Sequence, residues 1–313
     1  MMRNDPLYKA IADCGGEMMM VTSSTAAFST YEDGVGEAKK SVRLLFSVTS
    51  KVYIVATVAP VILALLVAFA IGFSFDYGTL LNYEWTCGKA LLPSISRVIN
   101  LPKERMVCNL VLIGHVILRP MFTLHYCKSQ ISALKLVERF KIQNPWKWSA
   151  GVLKPVRDQV CRQPSEKVRY PAVFKLLLAS VPLSGLCEFI FMVALTVIGE
   201  RENPQLHVVF FCLFCCSCNV YFVIVTLLFR TSQFYRWHKN AFLSFKLKLG
   251  LVVFNFVLLP TASVFFVLYW QYCVSFAYDV FALLEYLTVV IIIAFHMTAV
   301  LDFDYRYSVV LSK

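Results

Sequence analysis

A chain of 313 residues in which 58% are hydrophobic and only 16% charged, with a mean hydropathy of +0.66, has too little charge to cover a water-facing surface, which excludes an ordinary soluble domain. Its net charge of +11 does not point to nucleic acid, because no basic face with stacking aromatics stands apart from the apolar stretches. Neither GxSxG, HExxH nor a Walker loop occurs in the chain, which disfavours a plain hydrolase or ATPase.

Residues 1 to 50 are polar, rich in Ser, Thr and Gly, and read as a disordered cytosolic tail with no cleavable signal peptide. Apolar stretches of about twenty residues, the length that crosses a bilayer core, then occur at 52 to 75, 106 to 126, 172 to 199, 207 to 229, 249 to 270 and 279 to 300. They predict an all-α polytopic membrane protein, a six-transmembrane helix bundle over 51 to 305 with a short cytosolic tail at 306 to 313. Lys and Arg are dense in the N-terminal tail and the loops 127 to 171 and 230 to 248, and sparse in 76 to 105, 200 to 206 and 271 to 278. That bias places both termini in the cytosol and accounts for the net charge. Pro60, Pro182 and Pro260 fall inside spans, where kinks are expected. No internal repeat is visible, which weakens a transporter reading.

In the loop 127 to 171, Ile131, Leu134, Val137 and Phe140 recur at helical spacing. That pattern fits an amphipathic extension on the membrane surface or a solvated helix. Trp146 and Trp148 suit the headgroup zone. The loop 230 to 248 holds Arg230, Arg236, His238, Lys239, Lys246 and Lys248 and no acid; such a run clamps phosphates or merely fixes topology. Cys212, Cys215, Cys216 and Cys218 read as small apolar residues of the fourth span rather than a metal site. Cys87 and Cys273 fall in two loops on the same non-cytosolic side. In an oxidising compartment that predicts a disulfide between them, two unpaired thiols being the other reading.

Ionisable groups inside spans are costly unless they meet protein, water or a partner. His115 and Arg119 are four residues apart and share a face of the second span. Glu188 is near the middle of the third, so an Arg119–Glu188 ion pair is the cheapest arrangement, with structural and functional roles both open. In the last span Glu285 and His296 project from nearly one face, roughly 16 Å apart along the axis, and the helix runs into Asp302. Imidazole gives and takes protons near neutral pH, which makes His296 the leading general-base candidate. Either Asp302 or Glu188 would orient it, whereas Glu285 is too distant; a purely structural histidine remains the alternative.

The run Ala282-Leu283-Leu284-Glu285-Tyr286, then Ala294-Phe295-His296-Met297-Thr298-Ala299 and Asp302-Phe303, resembles the last helix of the post-GPI-attachment-to-proteins factor 2 family, within the FRAG/DRAM superfamily. Cys87-Gly88, Leu92-Pro93-Ser94, Ser96, His115 with Arg119, Glu188 and Cys273 extend the resemblance over roughly 50 to 305. It departs in the tail, in the loop 127 to 171, and beside Cys273, where Trp270 and Gln271 replace an expected basic residue. The resemblance implies a multi-pass protein of the Golgi and endoplasmic reticulum that remodels the fatty acids of GPI anchors, at reacylation of a lyso-GPI intermediate. Its implied partners are membrane lipids and GPI-anchored proteins, with no metal and no cofactor beyond an acyl donor such as acyl-CoA. Under that reading His296 or His115 is the base, Arg119 stabilises an oxyanion or holds a phosphate, and Glu188, Glu285 and Asp302 complete the candidate site. A non-catalytic lipid-binding accessory factor is the alternative.

Overall fold

The computed structural model describes residues 42–81, 87, 90–140, 172–231, 240–302 and 306–312. Two compact units share the chain; one contains 54–135 and 170–302, the other the segments that flank them.

In the flanking unit, β1 (Val42–Thr49) pairs antiparallel with β2 (Arg306–Ser312), from Val42 opposite Ser312 to Thr49 opposite Arg306. A register shift between Leu44 and Phe46 marks a bulge. This corrects the reading of 1 to 50 as disordered over residues 42–49. Val42, Leu44, Phe46 and Val48 carry a period-2 pattern that the polar average of the tail conceals. Residues 1 to 41 of that tail lie outside the described residues.

The other unit is helical. Its elements are α1 (Ser50–Phe75, entering from residue 54), the short α2 (Tyr77–Leu81) and α3 (Ile95–Ile99), and α4 (Pro102–Phe140) as far as residue 135. There follow α5 (Ala172–Val197), α6 (Pro204–Thr231), α7 (Ala241–Tyr272), α8 (Ser275–Met297) and α9 (Ala299–Asp302). Among the described residues five helices are long and apolar enough to cross a membrane: α1, α5, α6, α7 and the run Ser275–Asp302. The expected span 106 to 126 lies within α4, which is not one of the five. The long helices display Leu63, Leu66, Ile117, Leu176, Leu183 and Val257 on their outer faces, the pattern of helices whose solvent is hydrocarbon.

Consecutive helices pack as hairpins, α5 on α6 and α7 on α8, with α6 also against α7. Gly199 sits at the α5–α6 turn because a Cβ there would lie 2.3 Å from Asn100 Oδ1. Pro182 withholds a donor from the Leu178 carbonyl one turn back, and the Cys127 thiol of α4 faces that carbonyl at 4.0 Å. Pro120 adds an interior proline in α4 beside the three expected. The helical course of α4 continues through Phe140. Trp146, Trp148, Arg236, His238 and Lys239 lie outside the described residues.

Candidate functional site

Buried stripes on three helices carry polar residues into the bundle interior. Val181, Ser184 and Glu188 recur at three- and four-residue intervals on α5, as do Cys218, Tyr221, Phe222, Val225 and Phe229 on α6. On α8 the stripe runs through Phe281, Glu285, Thr288, Ile291 and Phe295.

Four helices bring one group each to a single point. The Arg119 Nη2 of α4 donates to Glu188 Oε1 of α5 and lies 2.6 Å from His296 Nε2 of α8. The Cys218 thiol of α6 donates to the same Oε1 at 3.1 Å, and His296 Nε2 is 3.3 Å from it. Glu188 and Cys218 are fully buried and the His296 side chain is 11% exposed. A guanidinium only donates, so with Arg119 at hydrogen-bond distance the Nε2 of His296 accepts and its proton sits on Nδ1. Tyr221, Phe222 and Phe295 surround that imidazole with ring centroids 5.8, 5.6 and 6.1 Å away, fixing its plane.

The carboxylate of Glu188 is therefore asymmetric. Oε1 takes two donors and lies within reach of the imidazole, while Oε2, equally buried, has no hydrogen-bond partner among the described residues. A buried carboxylate oxygen without a partner is costly. Beside the cluster a narrow cleft between α4 and α5 is lined by Asn109, Leu112, Ile113, Val116, Met192 and Val193. Met192, which lines this cleft, has its sulfur 3.9 Å from Arg119 Nη1.

The other expected residues go elsewhere. His115, one turn from Arg119, donates through Nδ1 to the Thr57 carbonyl of α1 at 2.9 Å. Glu285 does not join His296; its Oε2 accepts the Ile95 amide at 2.8 Å, holding α3 against α8. Asp302 does not orient His296 either. It closes a buried triad in which Lys248 Nζ is 2.6 Å from Asp302 Oδ2 and 2.6 Å from Ser244 Oγ, and Ser244 donates to Asp302 Oδ1 at 2.5 Å. The cation also stands 4.6 Å from the Phe229 ring centroid. Lys248, read as a loop cation, thus faces inward.

At the end of the bundle where Cys87 and Cys273 form a disulfide, with Cα atoms 4.7 Å apart, the segment around α3 is fastened to α8. Asp279 Oδ1 accepts the Leu91 and Leu92 amides at 2.8 and 2.9 Å. Tyr278 donates to Ser94 Oγ at 2.7 Å, and Tyr286 donates to the Pro93 carbonyl. Arg97, 1% exposed, lies 4.0 Å over the Tyr278 ring. Burial lifts the Glu200 carboxyl to about 7, against the opposing pull of Arg97 and a hydrogen bond from Ser96. Of these, Arg97, Asp279 and Glu200 escaped the sequence reading, while Cys218 was read as an apolar filler and Lys248 as a loop cation. The usable signals were the three-residue step from Cys218 to Tyr221, the four-residue step from Ser244 to Lys248, and an arginine enclosed by Ile95, Val98 and Ile99.

The family model described as the Frag1/DRAM/Sfk1/Cwh43P N-terminal domain matches residues 49–305. Over 133 residues the chain is 33% identical to the Acyltransferase PGAP2 of Xenopus tropicalis, an alignment covering 39% of this chain and 48% of that protein. The chain thus spans about half the length of the curated relative it matches. No solved structure matches it.

Proposed function

The chain belongs to the Frag1/DRAM/Sfk1/Cwh43P family, and from that premise we propose that it is a membrane acyltransferase that reacylates the lyso-GPI intermediate during anchor maturation. Its setting is the endoplasmic reticulum and Golgi, with six spans counting residues 106 to 126, both termini cytosolic and the Cys87–Cys273 end in the lumen. The likeness to a protein named an acyltransferase supports the reaction class. The observation that carries the reading to residues is the open Glu188 Oε2 beside a buried arginine and histidine.

An acceptor hydroxyl donating to Glu188 Oε2 is placed where a base can take its proton, a role worth about 10²–10⁴ in rate. Arg119 Nη1 meets only a thioether sulfur among the described residues, a weak acceptor. It remains available to an acyl carbonyl arriving along the cleft, where one oxyanion donor contributes about 10²–10³. His296 cannot begin as the base while its Nε2 accepts from Arg119. It holds the guanidinium in place and accepts a proton only once Arg119 swings to the oxyanion. Asp302 and Glu285, both engaged elsewhere, act as positioning residues.

A second reading has one observation in its favour: Arg119 already fills His296 Nε2 and Glu188 Oε1, as in a cluster that only ties helices together. A non-catalytic lipid-binding factor would look like that. The purified full chain, offered a lyso-GPI acceptor with labelled acyl-CoA or labelled diacylphospholipid, separates the two. Turnover that drops at least a hundredfold in Glu188→Gln, with folding intact, is the outcome expected of the enzyme. Binding of the lyso lipid without transfer from either donor favours the accessory factor.

A further inference from the structure

We propose that a groove between α6 and α7, at the end of the bundle that carries the Cys87–Cys273 disulfide, seats an uncharged sugar ring of a lipid headgroup. The inference rests on the reading above for one point, that the glycolipid held there is the lyso-GPI acceptor. The groove has a volume of about 310 Å³. Its walls are the first two turns of α6, which supply Gln205 and Val208, and the last two turns of α7, which supply Phe266, Val267, Trp270 and Gln271. Ligand pockets run from about 300 to 1,000 Å³, so this one has room for one ring and not for a whole glycan.

The lining says what kind of group fits. A side-chain amide both donates and accepts, as a hydroxyl does, so Gln205 and Gln271 match a polyol from two helices. A phosphate or carboxylate calls for Lys or Arg, and neither is among the residues that line the groove. Trp270 adds an indole whose negative π face suits the C–H face of a pyranose, together with one N–H donor. Its ring is 5.5 Å from that of Phe266, which is 5.0 Å from the ring of Phe281 on α8, so the platform is set before a ligand arrives. An interfacial tryptophan alone anchors a helix; the two amides that share its groove are what point to a ligand.

The groove also lies where a lipid headgroup does. The chain reads Gly199-Glu200-Arg201-Glu202-Asn203 just before α6 turns apolar, and α7 closes at Tyr272 after an apolar course. Two such helix ends mark the boundary between water and hydrocarbon. One turn inward from Gln205 and from Val267 stand Val209 and Val264, 50% and 57% exposed, a track for the chain attached to the ring. A free sugar gains nothing from that track, so the occupant is lipid-linked.

The test uses the full-length purified protein in phosphatidylcholine nanodiscs that carry a trace of diazirine lipid. Three probes share the same chains, with the diazirine close to the glycerol: a monohexosyl diacylglycerol, the bare diacylglycerol and a phosphatidylcholine. The expected result is an adduct of the sugar probe on peptides spanning 205–209 or 264–271, with at least about fivefold more label than either other probe gives. Gln205→Leu with Gln271→Leu should cut that labelling about tenfold; both residues are exposed, so the fold tolerates the change. Trp270→Leu should do the same, whereas Trp270→Phe, which keeps a ring face, stays within about threefold of wild type. Equal labelling by the three probes, or labelling unchanged in the double glutamine variant, overturns the sugar site. The link to the acceptor is read in the transfer assay, where the double glutamine variant should raise KM for lyso-GPI about tenfold with kcat and the donor KM within twofold. An unchanged KM removes the acceptor from the groove and leaves the acyltransferase reading standing. A wild type that takes the sugar probe but transfers no acyl group overturns that reading and leaves the groove.

Discussion

Replacing Lys248 with Met should destabilise the bundle far more than replacing Lys248 and Asp302 together. Both side chains are at most 2% exposed and their charged atoms are 2.6 Å apart. At an effective dielectric constant of about 20 that distance corresponds to an attraction of about 6 kcal/mol, most of which offsets the cost of taking two ions out of water. Lys248→Met keeps the chain volume and the contact with Phe229 but strands the Asp302 carboxylate with Ser244 as its remaining partner. Stranding one member of a buried pair costs about 3–5 kcal/mol, and Asp302→Asn should behave similarly. The double variant Lys248→Met with Asp302→Leu leaves no charge behind and should lie within about 1–2 kcal/mol of wild type. The assay is a double-mutant cycle of denaturant unfolding in a fixed detergent, with a coupling of at least about 2 kcal/mol expected. Losses that simply add would refute the buried triad.

Glu200 predicts a pH signature. Its carboxyl is raised by burial to about 7 from 4.5, so the folded state holds a proton that the unfolded chain releases. The associated stability is complete below about pH 4.5, declines as pH rises towards 7 and is lost above it, a change of about 3 kcal/mol; Glu200→Gln should flatten that slope in denaturation runs at pH 5 and pH 8. Asp279→Ala removes the acceptor for two amides and should cost about 1–3 kcal/mol, read as faster hydrogen exchange at Leu91 and Leu92. Cys87→Ser opens a crosslink across 186 positions and should lower stability by about 2–5 kcal/mol, while non-reducing peptide mapping of the wild type recovers the Cys87–Cys273 pair. His115→Asn, which can still donate to the Thr57 carbonyl, should keep acyl transfer within about fivefold of wild type, and a larger loss with normal folding would return His115 to the chemistry.

The helices were legible because hydrocarbon imposes length: 172 to 199 became Ala172–Val197, and 52 to 75 became Ser50–Phe75. The company of Arg119 and Glu188 was legible for the same reason, since an arginine in an apolar run demands a carboxylate. The partners of Glu285 and Asp302 were not. Glu285 is met by a backbone amide of α3, and main-chain donors leave no trace in a sequence. Asp302 is met by Lys248, which looked like a loop residue because the polar stretch before it hides that α7 begins at Ala241. Cys218 was discounted because cysteine in a span is ordinarily a small apolar filler, and only the position of Glu188 on the neighbouring helix distinguishes it from Cys215 or Cys212.

Cys273 occupies the left-handed region, with φ 53°, where it ends α7 through its amide to the Leu268 and Tyr269 carbonyls. Glycine would take that conformation without the roughly 1–2 kcal/mol that a side chain adds. A side chain there carries that cost, and the one present reaches across to Cys87, so the reversal from α7 into α8 is joined to a segment far earlier in the chain. Reducing the crosslink would release the Cys87 segment from the turn between the last two helices, which remain packed on each other. The redox state of that bond thereby decides whether two segments 186 positions apart in the chain stay joined at this end of the bundle.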